Sequence, residues 1–278
     1  MLRSRPFRQV DVFTTSPYRG NPVAVVLDGA LISDSAMQRF ANWTNLSETT
    51  FVLPPTEPEA DYKVRIFTPS VELPFAGHPT LGTCHAWIEA GGMPKDSETI
   101  VQECGAGLVS VRRTDDGLAF AAPPLMKSGP VDPGELEEIA NDLNIDAGRI
   151  VDAEWTDNGP GWVSVLLDNA DELLKVQPRS THRYIGLVAL QPEGKDTAFE
   201  VRAFFPKDGA TAEDPVTGSL NAGLAMWLTK TGRATTPYTA AQGIALGREG
   251  RIYVTQDDNG TVWVGGGTVT CVGGSVTL

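Results

Sequence analysis

Two similar domains, each rich in short strands and poor in long helices, form the architecture that the sequence predicts. The chain has 278 residues, which is nearly twice the ~150 residues of a typical domain. Its 29 glycines and 20 prolines favour turns and short strands over long helices. Three short segments also recur in the same order about half a chain later, and this repeat is the strongest of the three observations.

The repeat is visible residue by residue. The matched pairs are VAVVLD (23–28) with VSVLLD (163–168), VRIFTP (64–69) with VRAFFP (201–206), and HPTLGT (78–83) with DPVTGS (214–219). Their offsets of 140, 137 and 136 residues indicate a diverged duplication and not a solenoid. We predict an N-terminal domain over 1–124 and a C-terminal domain over 125–278, related by a pseudo-twofold axis. A strand near 270–278 is a candidate to join the first domain.

Hydrophobic periodicity assigns the elements of the first half. Met37, Phe40 and Trp43 recur at helical spacing, which predicts an amphipathic helix over 33–44. A second helix is predicted over 79–90, directly after a turn that contains proline. Runs that alternate in polarity or are rich in β-branched residues predict strands at 7–13, 23–27, 49–53, 62–67, 99–103, 107–113 and 117–121.

The second half follows a similar order. Leu136, Ile139 and Leu143 share one face of a predicted helix over 133–144. A further helix is predicted over 215–230, after the second proline-containing turn. Strands are predicted at 162–167, 199–204, 251–255, 261–264 and 268–271.

Charge and cysteine content argue against several classes of function. The 22 basic and 35 acidic side chains give a net charge of −13, which disfavours a broad nucleic-acid interface. No stretch approaches the ~20 apolar residues of a membrane span, and no signal-peptide pattern is present. The three cysteines and three histidines lack metal-ligand spacing. We therefore expect a cytoplasmic protein with no metal, no nucleic acid and no membrane among its partners.

A turn of the form [H/D]-P-x-x-G-[S/T] occurs once in each half, at His78 and at Asp214. Proline suits the first helical position, so each motif predicts a helix start whose N–H groups favour an anion. If the two starts face one another, they could hold one small anion in a cleft between the domains. The local pattern alone favours the competing interpretation, in which Asp214 is simply an N-cap. Gly82 and Gly218 would allow a ligand or the opposite domain to approach closely.

Glu48 is the second candidate for a chemical role. It stands at the head of a strand that otherwise holds β-branched and apolar residues. Burial of a carboxyl favours its protonated form, which suits a residue that must both take and return a proton near pH 7. The competing interpretation is an exposed glutamate at a strand end, and the local pattern alone favours it.

Four blocks of sequence carry a resemblance to a known family. They are DVFTTSPYRGNPVAVV (11–26), NLSETTFV (45–52), ELPFAGHPTLGT (72–83) and EDPVTGSLNAG (213–223). In this order and spacing they resemble the PhzF-like family of phenazine-biosynthesis-type isomerases. The resemblance implies an α+β, duplicated diaminopimelate epimerase-like fold. Each domain would be a curled, mostly antiparallel β-sheet around a central α-helix, with the active site between the domains.

The same resemblance implies a cofactor-independent isomerase or epimerase that moves a proton between carbons of a small carboxylate substrate. Glu48 matches the family's general acid/base, and His78 matches a residue that orients the substrate or assists proton movement. Asp214 and Ser219 match residues that line the same cleft. With Gly218, Ser219 is expected to offer the substrate close backbone or hydroxyl contacts.

Other positions refine this expectation. Gly77 is a further expected substrate contact, and Asn21 is equally suited to substrate binding and to a structural turn. Gly77 and Asp214 stand where diaminopimelate epimerases carry their catalytic cysteines, so the resemblance disfavours a two-thiol mechanism. Leu220-Asn221 follows the second motif where the family commonly has a small residue.

Two alternative functions stay open at the level of sequence. One is a non-catalytic small-molecule binding protein on the same fold, and the other is an amino-acid racemase. Members of the family often pair, so a homodimer is a further expectation.

Overall fold

The structure is a computed structural model that describes residues 2–207 and 209–278. The helices within these residues are α1 (Asp34–Thr44), α2 (Gly77–Glu89), α3 (Pro133–Leu143), α4 (Ala170–Leu173) and α5 (Gly218–Lys230). Short 3₁₀ turns cover Ala147–Arg149 and Ile244–Leu246. None of the helices in the described part of the chain is long and apolar enough to cross a membrane.

Strands outnumber helices, as the content of glycine and proline predicts. They are β1 (Ser4–Val12), β2 (Asn21–Val26), β3 (Glu48–Leu53), β4 (Tyr62–Phe67), β5 (Glu72–Leu73), β6 (Thr99–Cys104), β7 (Gly107–Thr114), β8 (Gly117–Ala121), β9 (Lys127–Pro130), β10 (Ile150–Asp157), β11 (Trp162–Leu167), β12 (Tyr184–Leu190), β13 (Phe199–Lys207), β14 (Ala210–Asp214), β15 (Tyr238–Gln242), β16 (Gly250–Gln256), β17 (Val262–Gly266) and β18 (Thr268–Thr277).

The chain divides into two compact units. Unit 1 comprises the residues up to Ala121 together with Gly265–Leu278, and unit 2 comprises Ala122–Val264. The C-terminal segment belongs to unit 1 because β18 pairs antiparallel with the whole of β1, from Ser4 opposite Thr277 onward.

Unit 1 is a mixed sheet built around one helix. The strands pair in the order β18, β1, β2, β3, β4, β6, β7, β8; the pairs β2–β3 and β4–β6 are parallel and the others in this order are antiparallel. Helix α2 contacts strands along this order, from β18 and β1 to β8, so it forms the centre of the unit. Leu81, Cys84 and Ala86 of α2 are fully buried, which explains the small and apolar composition of this helix.

Unit 2 repeats the arrangement. Its strands pair in the order β9, β10, β11, β12, β13, β15, β16, with parallel pairs at β11–β12 and β13–β15. Helix α5 contacts β10, β11 and β16 and is buried along most of its length. A second hydrophobic cluster lies on the other face of this sheet, where Ile139 and Leu143 of α3 and Leu173 of α4 pack.

The matched sequence segments occupy matching elements of the two units. VAVVLD and VSVLLD form most of β2 and β11, and each is followed in the sheet by a parallel strand. VRIFTP and VRAFFP lie in β4 and β13, and each of these strands precedes a short antiparallel strand and then the central helix.

Candidate functional site

Glu48 is the first residue of β3, and the preceding turn fixes its place. Helix α1 ends at Thr44, and the left-handed φ of 53° at its C-cap, Asn45, reverses the chain. The hydroxyls of Thr44 and Thr49 then join the end of α1 to β3 across 2.9 Å. The Glu48 side chain is 15 % exposed, so the interpretation as an exposed strand-end glutamate is wrong.

His78, the second residue of α2, lies directly against Glu48. Its Nε2 is 3.3 Å from Glu48 Oε2, and the imidazole is buried. Burial lowers the pKa of His78 to about 3, because an imidazolium is poorly solvated there. The side chain is therefore neutral at pH 7 and can carry only one ring proton.

Asn21, the first residue of β2, completes this group on the other side of the imidazole. Its Nδ2 lies 3.4 Å from His78 Nδ1, and its side chain is fully buried. The ring also hydrogen-bonds the Pro22 backbone, whose carbonyl can only accept, so the single ring proton of His78 is directed to Pro22. The structure thus brings Asn21, His78 and Glu48 together, with Gly77 immediately before His78 as the first residue of α2.

Asp214 is the last residue of β14 in unit 2. Its Oδ2 accepts a hydrogen bond of 2.6 Å from the hydroxyl of Thr217, and its side chain is partly buried. The N-cap position of α5 is Thr217, which has extended φ and ψ. The interpretation of Asp214 as the N-cap is therefore wrong, and its carboxylate is instead held beside the helix start.

Gly218 and Ser219 are the first two residues of α5. The Ser219 hydroxyl accepts a hydrogen bond of 3.0 Å from Trp162 Nε1, and its carbonyl accepts one of 2.8 Å from Asn158. With its acceptor side held by the indole, the Ser219 hydroxyl has its own proton to donate.

Both helix starts differ from the prediction. Helix α2 begins at Gly77, so Pro79 is its third residue, where the missing N–H costs nothing because the first turn has no intrahelical acceptors. Helix α5 begins at Gly218, and Pro215 lies before it in the connection from β14. The first helix thus starts five residues earlier than the second within the matched motif.

Gly82 has a packing role within unit 1. A Cβ on this residue would lie 2.3 Å from Val23 Cγ1, so the missing side chain lets α2 approach β2. The expected neighbour is a ligand or the opposite domain, whereas the atoms that approach Gly82 belong to β1 and β2 of the same unit.

Several polar residues near the helix start of unit 2 are not among the sequence-based candidates. They are Asn158, Trp162, Thr217, Asn221 and Gln242. Thr217 and Asn221 lie within the quoted block 213–223, whereas the other three lie in a loop and two strands elsewhere in the chain, so no local spacing links the group.

Two of the cysteines of unit 1 pack in its core. Cys84 and Cys104 are buried, and burial raises the pKa of Cys84 to about 12, so this group is a thiol and not a thiolate at pH 7. Among the described residues, no group of histidine, cysteine and carboxylate side chains is arranged to hold a metal ion.

Comparisons with known proteins cover nearly the whole chain. The family profile described as phenazine biosynthesis-like protein matches residues 10–274. The chain is 36% identical to antisense-enhancing sequence 1 of Schizosaccharomyces pombe, over 98% of this chain and 99% of the relative. It is 34% identical to trans-2,3-dihydro-3-hydroxyanthranilate isomerase of Pseudomonas aeruginosa, over 90% of each chain.

Solved structures confirm the fold class. A PhzF-family protein of Bacillus anthracis superposes with a TM-score of 0.83 at 23% identity, over 99% of this chain and 100% of that one. A hydroxyproline epimerase of Agrobacterium vitis superposes with a TM-score of 0.61 at 14% identity, over 99% and 93%. The predicted α+β, diaminopimelate epimerase-like fold is thereby confirmed.

Proposed function

We propose that this chain, which belongs to the phenazine biosynthesis-like protein family and is an isomerase, moves a proton between two carbons of a small carboxylate substrate. Glu48 acts as the general acid/base, and the reaction draws only on groups of the chain itself. The observation that carries the proposal is the approach of Glu48 Oε2 to His78 Nε2 at 3.3 Å in a largely buried setting.

The chemistry requires a group that removes a proton from carbon and returns it to another carbon. In the proposed step the Glu48 carboxylate takes the proton, the electron pair shifts along the substrate, and the Glu48 carboxylic acid protonates the second carbon. No electrons are gained or lost overall, and Glu48 ends as the carboxylate from which it began.

His78 assists because it is neutral. A neutral imidazole beside Glu48 Oε2 withholds the strong stabilisation that a full positive charge would give the carboxylate, so Glu48 keeps the basicity that proton removal requires. Asn21 contacts the ring on its other side, at Nδ1.

Unit 2 is proposed to contribute to substrate binding. The Ser219 hydroxyl has a proton to donate, and the first N–H groups of a helix lack intrahelical acceptors, which suits an anionic substrate group. Asp214 is an acceptor for a substrate amine or hydroxyl. The helix start at Gly77 offers the same kind of N–H groups in unit 1.

The test is solvent deuterium uptake. The probe is trans-2,3-dihydro-3-hydroxyanthranilate, the compound in the name of the Pseudomonas aeruginosa relative, followed by a panel of small amino and hydroxy carboxylates. Incubation in D₂O should introduce carbon-bound deuterium into at least one compound, and Glu48→Gln should lower the rate by at least about 100-fold.

The matched control is Glu72→Gln, since Glu72 lies in the same unit but pairs with Arg65 at the surface. Its rate should be unchanged. Undiminished uptake in Glu48→Gln would overturn Glu48 as the acid/base. Tight binding of a compound without any uptake would overturn the isomerase assignment in favour of a non-catalytic binding protein.

A further inference from the structure

Gln242 uses all of its hydrogen-bonding capacity at the start of α5. Its Oε1 accepts from the Thr217 N–H at 3.0 Å and from Asn221 Nδ2 at 2.9 Å. Its Nε2 lies 3.2 Å from the carbonyl of Asp214 and 3.0 Å from Thr217 Oγ1. The side chain is fully buried, so water does not compete for any of these contacts.

Chemistry alone fixes the direction of every bond in this network. A backbone N–H can only donate, so Thr217 must face the oxygen of the Gln242 amide. A backbone carbonyl can only accept, so the main-chain oxygen of Asp214 must face the nitrogen of the Gln242 amide. The amide therefore cannot flip, and its second N–H points at Thr217 Oγ1.

The bond from Gln242 to Thr217 fixes the direction of the bond from Thr217 to Asp214. Because Thr217 Oγ1 accepts from Gln242, its own proton is directed to Asp214 Oδ2, 2.6 Å away. A hydrogen bond donated to a carboxylate favours the charged form of that carboxyl. The chain Gln242, Thr217, Asp214 thus ends on an oriented carboxylate.

We infer that Gln242 is a positioning residue that, through the Thr217 hydroxyl, keeps Asp214 ionised and fixed in orientation as a substrate acceptor. The inference rests on the proposed function, in which Asp214 binds the substrate. Asn221 contributes by donating to both Gln242 Oε1 and the Thr217 carbonyl, which ties the first turn of α5 to the end of β15.

Unit 1 contains a buried glutamine on the corresponding strand, but its network ends differently. Gln102 of β6 accepts from the Tyr62 hydroxyl at 3.1 Å and donates to Thr80 Oγ1 at 2.9 Å. Thr80 Oγ1 lies 2.9 Å from the carbonyl of Ala76, so it passes its proton to the backbone and not to a carboxylate. Gln102 therefore supplies a control with similar burial and no link to Asp214.

The experiment follows the ionisation of Asp214 in the full chain without substrate. Side-chain carboxyl signals are titrated by ¹³C NMR, and Asp214→Asn assigns the signal. Thr217→Val should raise the titration midpoint of Asp214 by about one pH unit, because a donor to the charged carboxyl is lost. Thr217→Ser, which keeps the hydroxyl, should leave it within about 0.2 units of the unmodified chain.

Gln242→Met tests the first link of the network. It should shift the Asp214 midpoint upward by less than Thr217→Val, and the double variant should shift it no further than Thr217→Val alone. Gln102→Met should leave the midpoint in place. If Gln242→Met does not fold, the comparison of Thr217→Val with Thr217→Ser still decides the hydroxyl's role.

An unchanged midpoint in either Gln242→Met or Thr217→Val would overturn the inference, as would an equal shift in Gln102→Met. Because no turnover is measured, these results are independent of the identity of the substrate. A chain that shows the shifts but takes up no deuterium would keep the positioning network and refute the proposed function.

Discussion

Replacing Gly82 with alanine should displace α2 from the sheet of unit 1. The added Cβ would lie 2.3 Å from Val23 Cγ1 and 3.0 Å from Val12 Cγ2. Both valines are fully buried, and β-branched side chains have few alternative rotamers. Neither valine can move aside, so the methyl group must push the helix away from β1 and β2.

Two opposing contributions set the size of the effect. Overpacking a core by a methyl group costs about 1–3 kcal/mol. Exchange of glycine for alanine within a helix stabilises by about 1 kcal/mol. Gly82→Ala should therefore lower the free energy of unfolding by up to about 2 kcal/mol. The matched control is Gly134→Ala in α3, where a Cβ meets nothing within 4 Å and a gain of about 0.5–1 kcal/mol is expected.

The same shift should reach the proposed active site, because α2 carries His78 four residues before Gly82. Deuterium uptake should fall in Gly82→Ala and stay unchanged in Gly134→Ala. Urea unfolding followed by circular dichroism gives the stabilities. Val23→Ala in the Gly82→Ala background should recover part of both losses, since it removes the clash. The reasoning is refuted if Gly82→Ala is as stable as Gly134→Ala, or if the two changes at 23 and 82 are simply additive.

Two further predictions concern pH. Burial lowers the pKa of His78 to about 3, so its imidazole should show no protonation by NMR at pH 5. The unfolded chain protonates this residue near pH 6.5, so its contribution to stability falls as the pH drops from about 6.5 toward 3, and His78→Gln should remove that dependence. A His78 signal that titrates near pH 6.5 would contradict this. Burial also raises the pKa of Glu200 to about 7, so Glu200 opposes folding increasingly as the pH rises from about 4.5 through 7. Glu200→Gln should therefore raise the free energy of unfolding at pH 8 by on the order of 2 kcal/mol and have little effect at pH 5, and an equal gain at both values would refute it.

Strands whose own residues alternate in polarity or form a continuous apolar run could be predicted from the sequence. The predicted strands at 62–67 and 162–167 coincide with β4 and β11, since one alternates in polarity and the other is a continuous buried run. β10 and β15 are absent from the prediction because the first mixes carboxylates into its pattern and the second is rich in alanine. These strands form through pairing with neighbours that are distant in the chain, which local propensity does not register.

The candidate site likewise contains residues that the sequence reveals and residues that only the fold brings together. Glu48 and His78 stand out in the sequence because they lie in motifs that resemble a family, and the structure places them in contact. Gln242 carries no such signal, since its partners lie 21 to 28 residues earlier and only the fold brings them to it. Proline as a first-turn marker placed both helix starts wrongly, because the third helical position and the preceding loop tolerate proline as well.

The repeat itself bears on the kind of acid/base chemistry. The parallel ladder of unit 1 aligns Val23 with Glu48, and that of unit 2 aligns Val163 with Ile185. Val23 and Val163 are matched in the sequence repeat, so Ile185 occupies the position that corresponds to Glu48 and is fully buried. The duplication has thus kept a carboxyl at this place in unit 1 and a hydrocarbon in unit 2. A mechanism with two bases at these symmetry-related positions would need a proton-transfer group at both, and the isoleucine side chain cannot serve as one. A single carboxyl at this position instead favours a reaction in which the group that removes the proton also returns it.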